Sequence, residues 1–311
     1  MTRKPRLLVF NQYYWPGIEA TARLLADLCE GLSADYDVTV VTGLLREIDA
    51  PPGTTQHNGV RIVRVRSSAF DRRRLLFRGL NYFSYLVQSL RVGFAQKRPD
   101  VILCMTDPPV IGNVGSVVAR RFRVPLVVVS QDVFPEVALE LGRLENPVAL
   151  KLLGAAVSAY LKRADRVVAI GDTMAKRLQQ KGASPRRLRV IPNWVDVGAL
   201  TPVERDNDWA RAHGLRNRFV IMHSGNVGHA QNLDLLVRSA TFLRDLEDLV
   251  VVIIGSGARA HEIHALADVL DVERVRFLPY QPRDVLASAL STGDVHFVGL
   301  AAGLAGYVVP S

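Results

Sequence analysis

Four short segments carry residues whose types and spacing suit ligand chemistry. Asn11-Gln12-Tyr13-Tyr14-Trp15-Pro16-Gly17 leaves a β-branched run and enters a helical pattern at Ala20. Gly17 there either lets bare backbone approach an anion at a helix N-terminus or serves as a plain strand-to-helix turn. Gln131-Asp132 follows Leu126–Ser130 and offers an amide and a carboxylate; Asp132 also fits as a cap of the next helix. Gly225-Asn226-Val227-Gly228-His229-Ala230-Gln231 opens another helix, whose N-terminus and backbone amides suit phosphate. Gly255-Ser256-Gly257-Ala258-Arg259-Ala260 fits the dinucleotide pattern Gly-x-Gly-x-x-Ala, but internally, while the first loop lacks the three glycines. A nicotinamide or flavin enzyme is therefore disfavoured.

Other chemistries have less support. Cys29 and Cys104 are the two cysteines. They read as reduced packing residues and cannot furnish a four-ligand zinc site. Asp35-Tyr36-Asp37 has the letters of a metal-holding motif, but it opens a strand beside a turn and reads as solvated. The net charge of +9 is uneven: residues 1–200 carry 29 Lys/Arg against 17 Asp/Glu, and residues 201–311 carry 10 against 13. A basic first half implies an acidic partner. Arg72, Arg73, Arg74, Phe77, Arg78 and Tyr82 fall in one helical stretch. Cations beside aromatics suit an interfacial helix on an anionic membrane; a core-facing helix with a solvated basic face is the alternative. No nucleic-acid-binding pattern is seen. The basic start at Met1–Arg6 leads into a strand, which reads as no signal peptide, and no run of about 20 apolar residues spans a membrane.

The elements that must position these residues alternate. Leu7–Phe10, Asp37–Val41, Arg61–Val65, Val101–Cys104, Leu126–Val129 and Val167–Ile170 predict strands covered on both faces. Ala20–Leu32, Leu75–Gln96, Val110–Phe122, Val148–Lys162 and Thr173–Lys181 predict the helices between them. The pattern breaks after Ile191-Pro192-Asn193-Trp194-Val195-Asp196, and Thr201–Arg218 reads as a polar connection without a strand. Alternation then resumes with strands Phe219–His223, Leu249–Ile254, Val275–Leu278 and Val295–Val298 and helices Leu233–Leu243, Arg259–Leu270 and Arg283–Leu290. The fold class is α/β, with two Rossmann-like doubly wound domains over 1–196 and 197–311 and a ligand cleft between strand carboxyl ends. The final stretch Val295–Ser311 reads as a buried strand followed by a glycine loop.

Several of these segments together resemble glycosyltransferase family 4, of GT-B fold. The aromatic-Pro-Gly loop at Trp15–Gly17 is similar to the family's first loop. Gln131 stands where many members have a donor-contacting His; an amide can hydrogen-bond a sugar hydroxyl but cannot shuttle protons. Asn226 and Gln231 stand where many members place an Arg and a Lys on the donor diphosphate. Ile191–Asp196 resembles the segment closing the first domain, and Val275–Pro279 the segment before the base-reading residues, which makes Tyr280 and Gln281 candidates. The Ser-Gly-Asn-x-Gly form of residues 224–228 resembles the bacterial surface-polysaccharide subgroup, the colanic acid and O-antigen type transferases. Tyr307–Ser311 resembles the start of a Pro-Ser-Lys segment that enters the donor site. The helix and glutamate pair that follow in the family lie beyond Ser311, so the second domain reads as incomplete.

The resemblance implies a retaining transferase that takes a UDP- or GDP-sugar, without cofactor or metal, to a lipid-linked or glycan acceptor. It implies a cytoplasmic protein held peripherally at the inner membrane. Gly17, Gln131 and Asp132 are the expected catalytic set. Gly225, Asn226, Gln231, Gly255, Tyr280, Gln281 and Ser311 are the expected donor set. A sugar-nucleotide epimerase, with His223, His229 and Glu136 as acid/base candidates, and an inactive binding fragment remain as alternatives.

Overall fold

The computed structural model describes residues 3–17, 19–44, 52–66, 75–198 and 200–310, with backbone alone for 75–78. The chain divides into two compact units. The first comprises Met1–Asn193 and Ala305–Val309; the second comprises Trp194–Leu304 and Pro310–Ser311.

The first unit holds β1 (Arg6–Phe10), α1 (Ala20–Leu32), β2 (Asp37–Gly43), β3 (Gly53–His57), β4 (Val60–Val65), α2 (Leu75–Ala95) and β5 (Val101–Cys104). It continues through α3 (Ile111–Phe122), β6 (Leu126–Ser130), α4 (Glu136–Glu140), α5 (Pro147–Arg163), β7 (Arg166–Ala169), α6 (Asp172–Gln180) and β8 (Leu188–Val190). The sheet order is β3-β4-β2-β1-β5-β6-β7-β8. Every pairing is parallel except β3 with β4. Helices on both faces bury the strands through most of their length. Leu8, Phe10, Ile102, Val128 and Val167 pack on one side, Leu7, Val9, Val38, Val40 and Ile62 on the other. The near-continuous apolar runs that predicted parallel strands follow from this two-sided burial.

Three elements escaped the sequence reading. β3 is a polar edge strand, exposed over most of its length, paired antiparallel to β4. Its turn is Asn58-Gly59, with φ of 44° and 78°, and Asn-Gly is the pair that a tight hairpin demands. β8 has three residues and α4 has five, too few for a period to register. α3 is drawn close to its neighbours by two glycines. A methyl group at Gly112 would lie 2.6 Å from the Tyr160 ring, and one at Gly115 would run into Cys104 Sγ. Both cysteines are buried free thiols.

The second unit holds α7 (Asp208–Ala212), β9 (Phe219–Ser224), α8 (Leu233–Ala240), β10 (Leu249–Ile254), α9 (Ala260–Val269), β11 (Val275–Leu278), α10 (Arg283–Ser291) and β12 (Val295–His296). The sheet is all parallel in the order β11-β10-β9-β12. The expected connection Thr201–Arg218 has no strand, but it does contain α7. Asn207 caps that helix by accepting from the Ala210 amide at 3.0 Å, and Trp209 anchors it in the core. The last strand is not buried, as the sequence had suggested. β12 is a two-residue edge strand pairing with β9, and Val295 and Val298 are exposed.

Candidate functional site

In each sheet the chain order reverses at one point: between β1 and β5 in the first unit, between β9 and β12 in the second. Loops at the strand carboxyl ends beside such a reversal form the usual ligand crevice of open α/β sheets. Gly17, Gly225, Asn226 and Gln231 fall on these loops, while Gln131, Asp132, Gly255, Tyr280 and Gln281 follow the carboxyl ends of β6, β10 and β11.

In the first unit the loops after β1, β5 and β6 are tied in series. The Gln12 amide donates to the Asp107 carbonyl at 2.8 Å, and the Asp107 amide donates to Asn11 Oδ1 at 3.2 Å. The Gln131 amide donates to Thr106 Oγ1 at 3.1 Å. The β1–α1 loop is fastened on its other side by Arg64, which donates to the Trp15 carbonyl at 2.9 Å, and by Trp15 stacking on His57 at 3.7 Å. Gly17 donates its amide to the Tyr14 carbonyl at 2.9 Å. A methyl group there would lie 2.9 Å from that carbonyl oxygen and 3.2 Å from Ala22 Cβ. The loop's own packing therefore demands glycine, with or without a ligand. The N-terminus of α1 carries no side-chain cap bond, and its N-cap residue is the acidic Glu19.

Gln131 is buried, and its amide is engaged. Nε2 donates to Asn193 Oδ1 at 3.1 Å, and Asn193 Nδ2 donates back to Gln131 Oε1 at 2.9 Å. This reciprocal pair joins the end of β6 to the Ile-Pro-Asn segment and holds the Gln131 head in one orientation. Nothing in a 62-residue separation signals this pairing in the sequence.

Asp132 does not cap a helix. α4 begins only at Glu136, behind Pro135, which has no side-chain acceptor to offer. The Asp132 backbone instead bridges to Val308, and the neighbouring Val133 amide donates to the Tyr307 carbonyl at 2.9 Å. Burial, with the nearby charge of Asp107 second, pushes the Asp132 carboxyl up to about 7. A carboxyl poised there can both hold and release a proton near neutral pH. Asp107 is thus a partner of the site that the sequence reading had not singled out. Glu136 is taken up by Lys181 at 2.6 Å.

In the second unit glycines let two loops touch. A side chain on Gly255 would run into the Gly225 carbonyl, and Gly255 has φ of +136°, a region open to glycine. The Val227 amide donates to the Ser256 carbonyl at 3.0 Å, closing the same contact. The Asn226 side chain lies between two glycines, with methyls at Gly228 and Gly257 placed 2.6 and 2.5 Å from its amide atoms. That head is exposed, with no hydrogen-bond partner among the described residues.

The backbone amides are less available than the sequence suggested. Gly225 donates to Ile254 at 2.9 Å, and Gly228 donates to Gln231 Oε1 at 3.1 Å. Gln231 therefore holds the loop rather than reaching outward. The start of α8 is uncapped by a side chain: its N-cap Asn232 adopts a left-handed φ of 51° and accepts only through its carbonyl, from the Leu235 amide at 3.2 Å, while Asp234 in the first turn is paired with Arg259 at 3.2 Å. Tyr280 joins the cluster through its hydroxyl, which donates to the Ser256 carbonyl at 3.0 Å. Gln281 turns away from the cluster: it accepts from Trp209 Nε1 at 2.8 Å and donates to the Pro279 carbonyl at 2.8 Å. Arg72, Arg73, Arg74 and Ser311 lie outside the described residues, as do the side chains of Phe77 and Arg78. Tyr82 is half-buried on α2.

Residues 19–194 match the glycosyl transferase 4-like domain, and residues 206–302 match the glycosyl transferases group 1 domain. The chain belongs to the glycosyl transferase 4-like family. Among relatives of this family, the probable glycosyltransferase WbjE of Pseudomonas aeruginosa is 29% identical over 78% of this chain and 61% of its own length. The putative colanic acid biosynthesis glycosyl transferase WcaI of Escherichia coli is 26% identical over 98% of this chain and 79% of its own. The chain thus spans less than two thirds of WbjE. Among solved structures, Anabaena HepE in complex with UDP-glucose matches with a TM-score of 0.66 at 16% identity, covering 94% of this chain and 72% of that one. WaaG, a glycosyltransferase involved in lipopolysaccharide biosynthesis, matches with a TM-score of 0.66 at 14% identity, over 93% and 74%. Two Rossmann-like units of the GT-B type are the fold that these likenesses share.

The raised Asp132 carboxyl has a measurable consequence. An unfolded aspartate titrates near ~3.9, so from about pH 4 to about 7 the folded chain binds more protons than the unfolded one and loses stability as pH rises. Asp132→Asn removes this term. Urea midpoints at pH 5 and pH 8 should show the wild type falling behind the variant at the higher pH, by on the order of 1–3 kcal/mol. Parallel pH profiles would show that the carboxyl is not raised.

Proposed function

We propose that this chain belongs to a retaining glycosyltransferase of bacterial surface-polysaccharide synthesis, taking a nucleoside-diphosphate sugar without a metal. The observation that carries the reading is the glycine-built junction of the β9–α8 and β10–α9 loops at the second unit's chain reversal. It leaves the uncapped start of α8 and the free amide of Asn226 as donors toward an anion. The UDP and UDP-glucose held by Anabaena HepE support a nucleotide-sugar ligand, and the likeness to WcaI, a putative colanic acid biosynthesis transferase, supports the polysaccharide context. The base is uridine or guanosine, and Tyr280 lies beside the junction to meet it. Positioning and stabilisation of the leaving diphosphate would supply the catalysis. On the first unit, Asp132 orients the acceptor hydroxyl, with Gln131 fixed beside it by Asn193.

The acceptor is lipid-linked or a glycan, met at the inner face of the cytoplasmic membrane. Along α2 the exposed Leu80, Phe83, Val87 and Phe94 recur at helical spacing, with exposed Arg91 between them and Lys97 and Arg98 just beyond. Apolar rings flanked by cations suit a peripheral seat on anionic lipid. No helix among the described residues is long and apolar enough to cross a membrane. Co-sedimentation with vesicles of anionic and of neutral phospholipid tests this seat. Binding to the anionic vesicles should fall several-fold in Phe83→Asp, and equal binding to both vesicle types would rule the seat out.

Calorimetric titration of the chain with UDP, GDP and their glucose and mannose conjugates tests the donor assignment. One nucleotide series should bind, unchanged by EDTA, and Asn226→Ala should weaken it about tenfold, the worth of one or two hydrogen bonds to a charged group. Equal affinity in the variant, or loss of binding with EDTA, would overturn the assignment.

A further inference from the structure

A cavity of about 290 Å³ in the first unit lies between α5 and α6, behind the loop that follows β6. Val133, Glu136, Ser158, Arg177, Lys181 and Tyr307 form most of its wall. Tyr307 is brought there by the segment Ala305–Val309, pinned through the Val133 amide and the Asp132–Val308 bridge.

The polar groups of this wall are not in balance. Lys181 Nζ is matched by Glu136 Oε1 at 2.6 Å, so those two charges cancel. Glu136 Oε2 is buried and accepts no hydrogen bond. The Arg177 guanidinium lies 4.6 Å above the centre of the Tyr307 ring, and among the described residues no carboxylate pairs with it. The lining therefore carries one uncompensated planar cation and one carboxylate oxygen that lacks a donor. A buried acceptor left unmade costs about 1–3 kcal/mol, and a guanidinium held flat by an aromatic ring is set for two-point contact with an oxyanion. A hydroxyl-free inorganic anion would satisfy Arg177 and leave Glu136 Oε2 orphaned. A neutral sugar would do the reverse. The two demands are met together by a ligand that carries both an anionic group and hydroxyls, and the volume suits one sugar ring rather than a nucleotide.

We propose that this cavity is a binding site for a monosaccharide-sized hydroxylated anion, a sugar acid or a sugar phosphate. Its anionic group would lie on Arg177, and one of its hydroxyls would donate to Glu136 Oε2. The site is distinct from the nucleotide-sugar loops and does not depend on their assignment.

Calorimetry or ligand-observed NMR on the whole chain, with glucuronate, glucose 1-phosphate, glucose and inorganic phosphate as separate probes, tests the proposal. At least one of the two charged sugars should bind saturably, at least tenfold tighter than glucose and than phosphate; which one identifies the carboxylate or phosphate source. Arg177→Met should weaken that binding at least tenfold. Ser158→Leu, which fills the cavity and leaves both charges in place, should do the same and carries the test if the Arg177 variant does not fold. The proposal is overturned if neither charged sugar saturates, if phosphate alone binds as tightly, or if the folded variants bind like the parent.

Discussion

The contact between Gly225 and Gly255 is the constraint on which the second unit's chemistry depends. Two strand-to-helix loops approach there until the carbonyl of one occupies the space a side chain would need on the other. The Val227–Ser256 backbone bond and the Tyr280–Ser256 bond close around the same point. Because the loops brace each other, the start of α8 and the Asn226 head are presented on a rigid base. Rigid presentation matters for charge stabilisation, since donors already in place need not reorganise when an anion arrives. The absence of the two cations that many members of the family carry puts more weight on that geometry. Asn226 is neutral, and Gln231 braces the loop from within by accepting the Gly228 amide.

The first unit solves a different problem. Its strand ends hold acidic and amide groups under a basic surface. Asp132 is forced toward its neutral form by burial and by Asp107, while the Gln131–Asn193 pair uses up amide groups that would otherwise adapt to any ligand. A carboxyl that exchanges its proton near neutrality, beside a fixed amide, suits hydroxyl recognition better than the binding of a second anion. The division of labour proposed above, phosphate on one unit and hydroxyl on the other, accords with the local chemistry of each unit taken alone.

Much of this was legible in the sequence, and the parts that were not have physical reasons. Long parallel strands announce themselves because both faces are buried, and β10 and β11 were bounded to the residue. β3 was hidden because its side chains are polar and exposed, although Asn58-Gly59 was the signal to follow. The glycines of the β9–α8 and β10–α9 loops were visible as letters, but their purpose, touching one another, is a relation between loops that no local spacing encodes. The same holds for Gln131 with Asn193, and for Gln281, which the alignment of motifs directed toward a base and the fold directed to Trp209. Gly17 teaches the converse. Its glycine is explained by Tyr14 and Ala22, so residue type alone carried less functional information there than it first suggested.

One substitution bears most directly on the claim that the braced glycine junction holds an activated sugar's phosphates. Gly255→Ala places a methyl against the Gly225 carbonyl at a φ of +136° and should part the two loops while leaving the first unit untouched. Titration with UDP and GDP, alongside circular dichroism to verify the fold, reads the effect. The account predicts an intact spectrum and at least a tenfold loss of affinity for the nucleotide that the parent chain binds. An intact spectrum with undiminished affinity would contradict it.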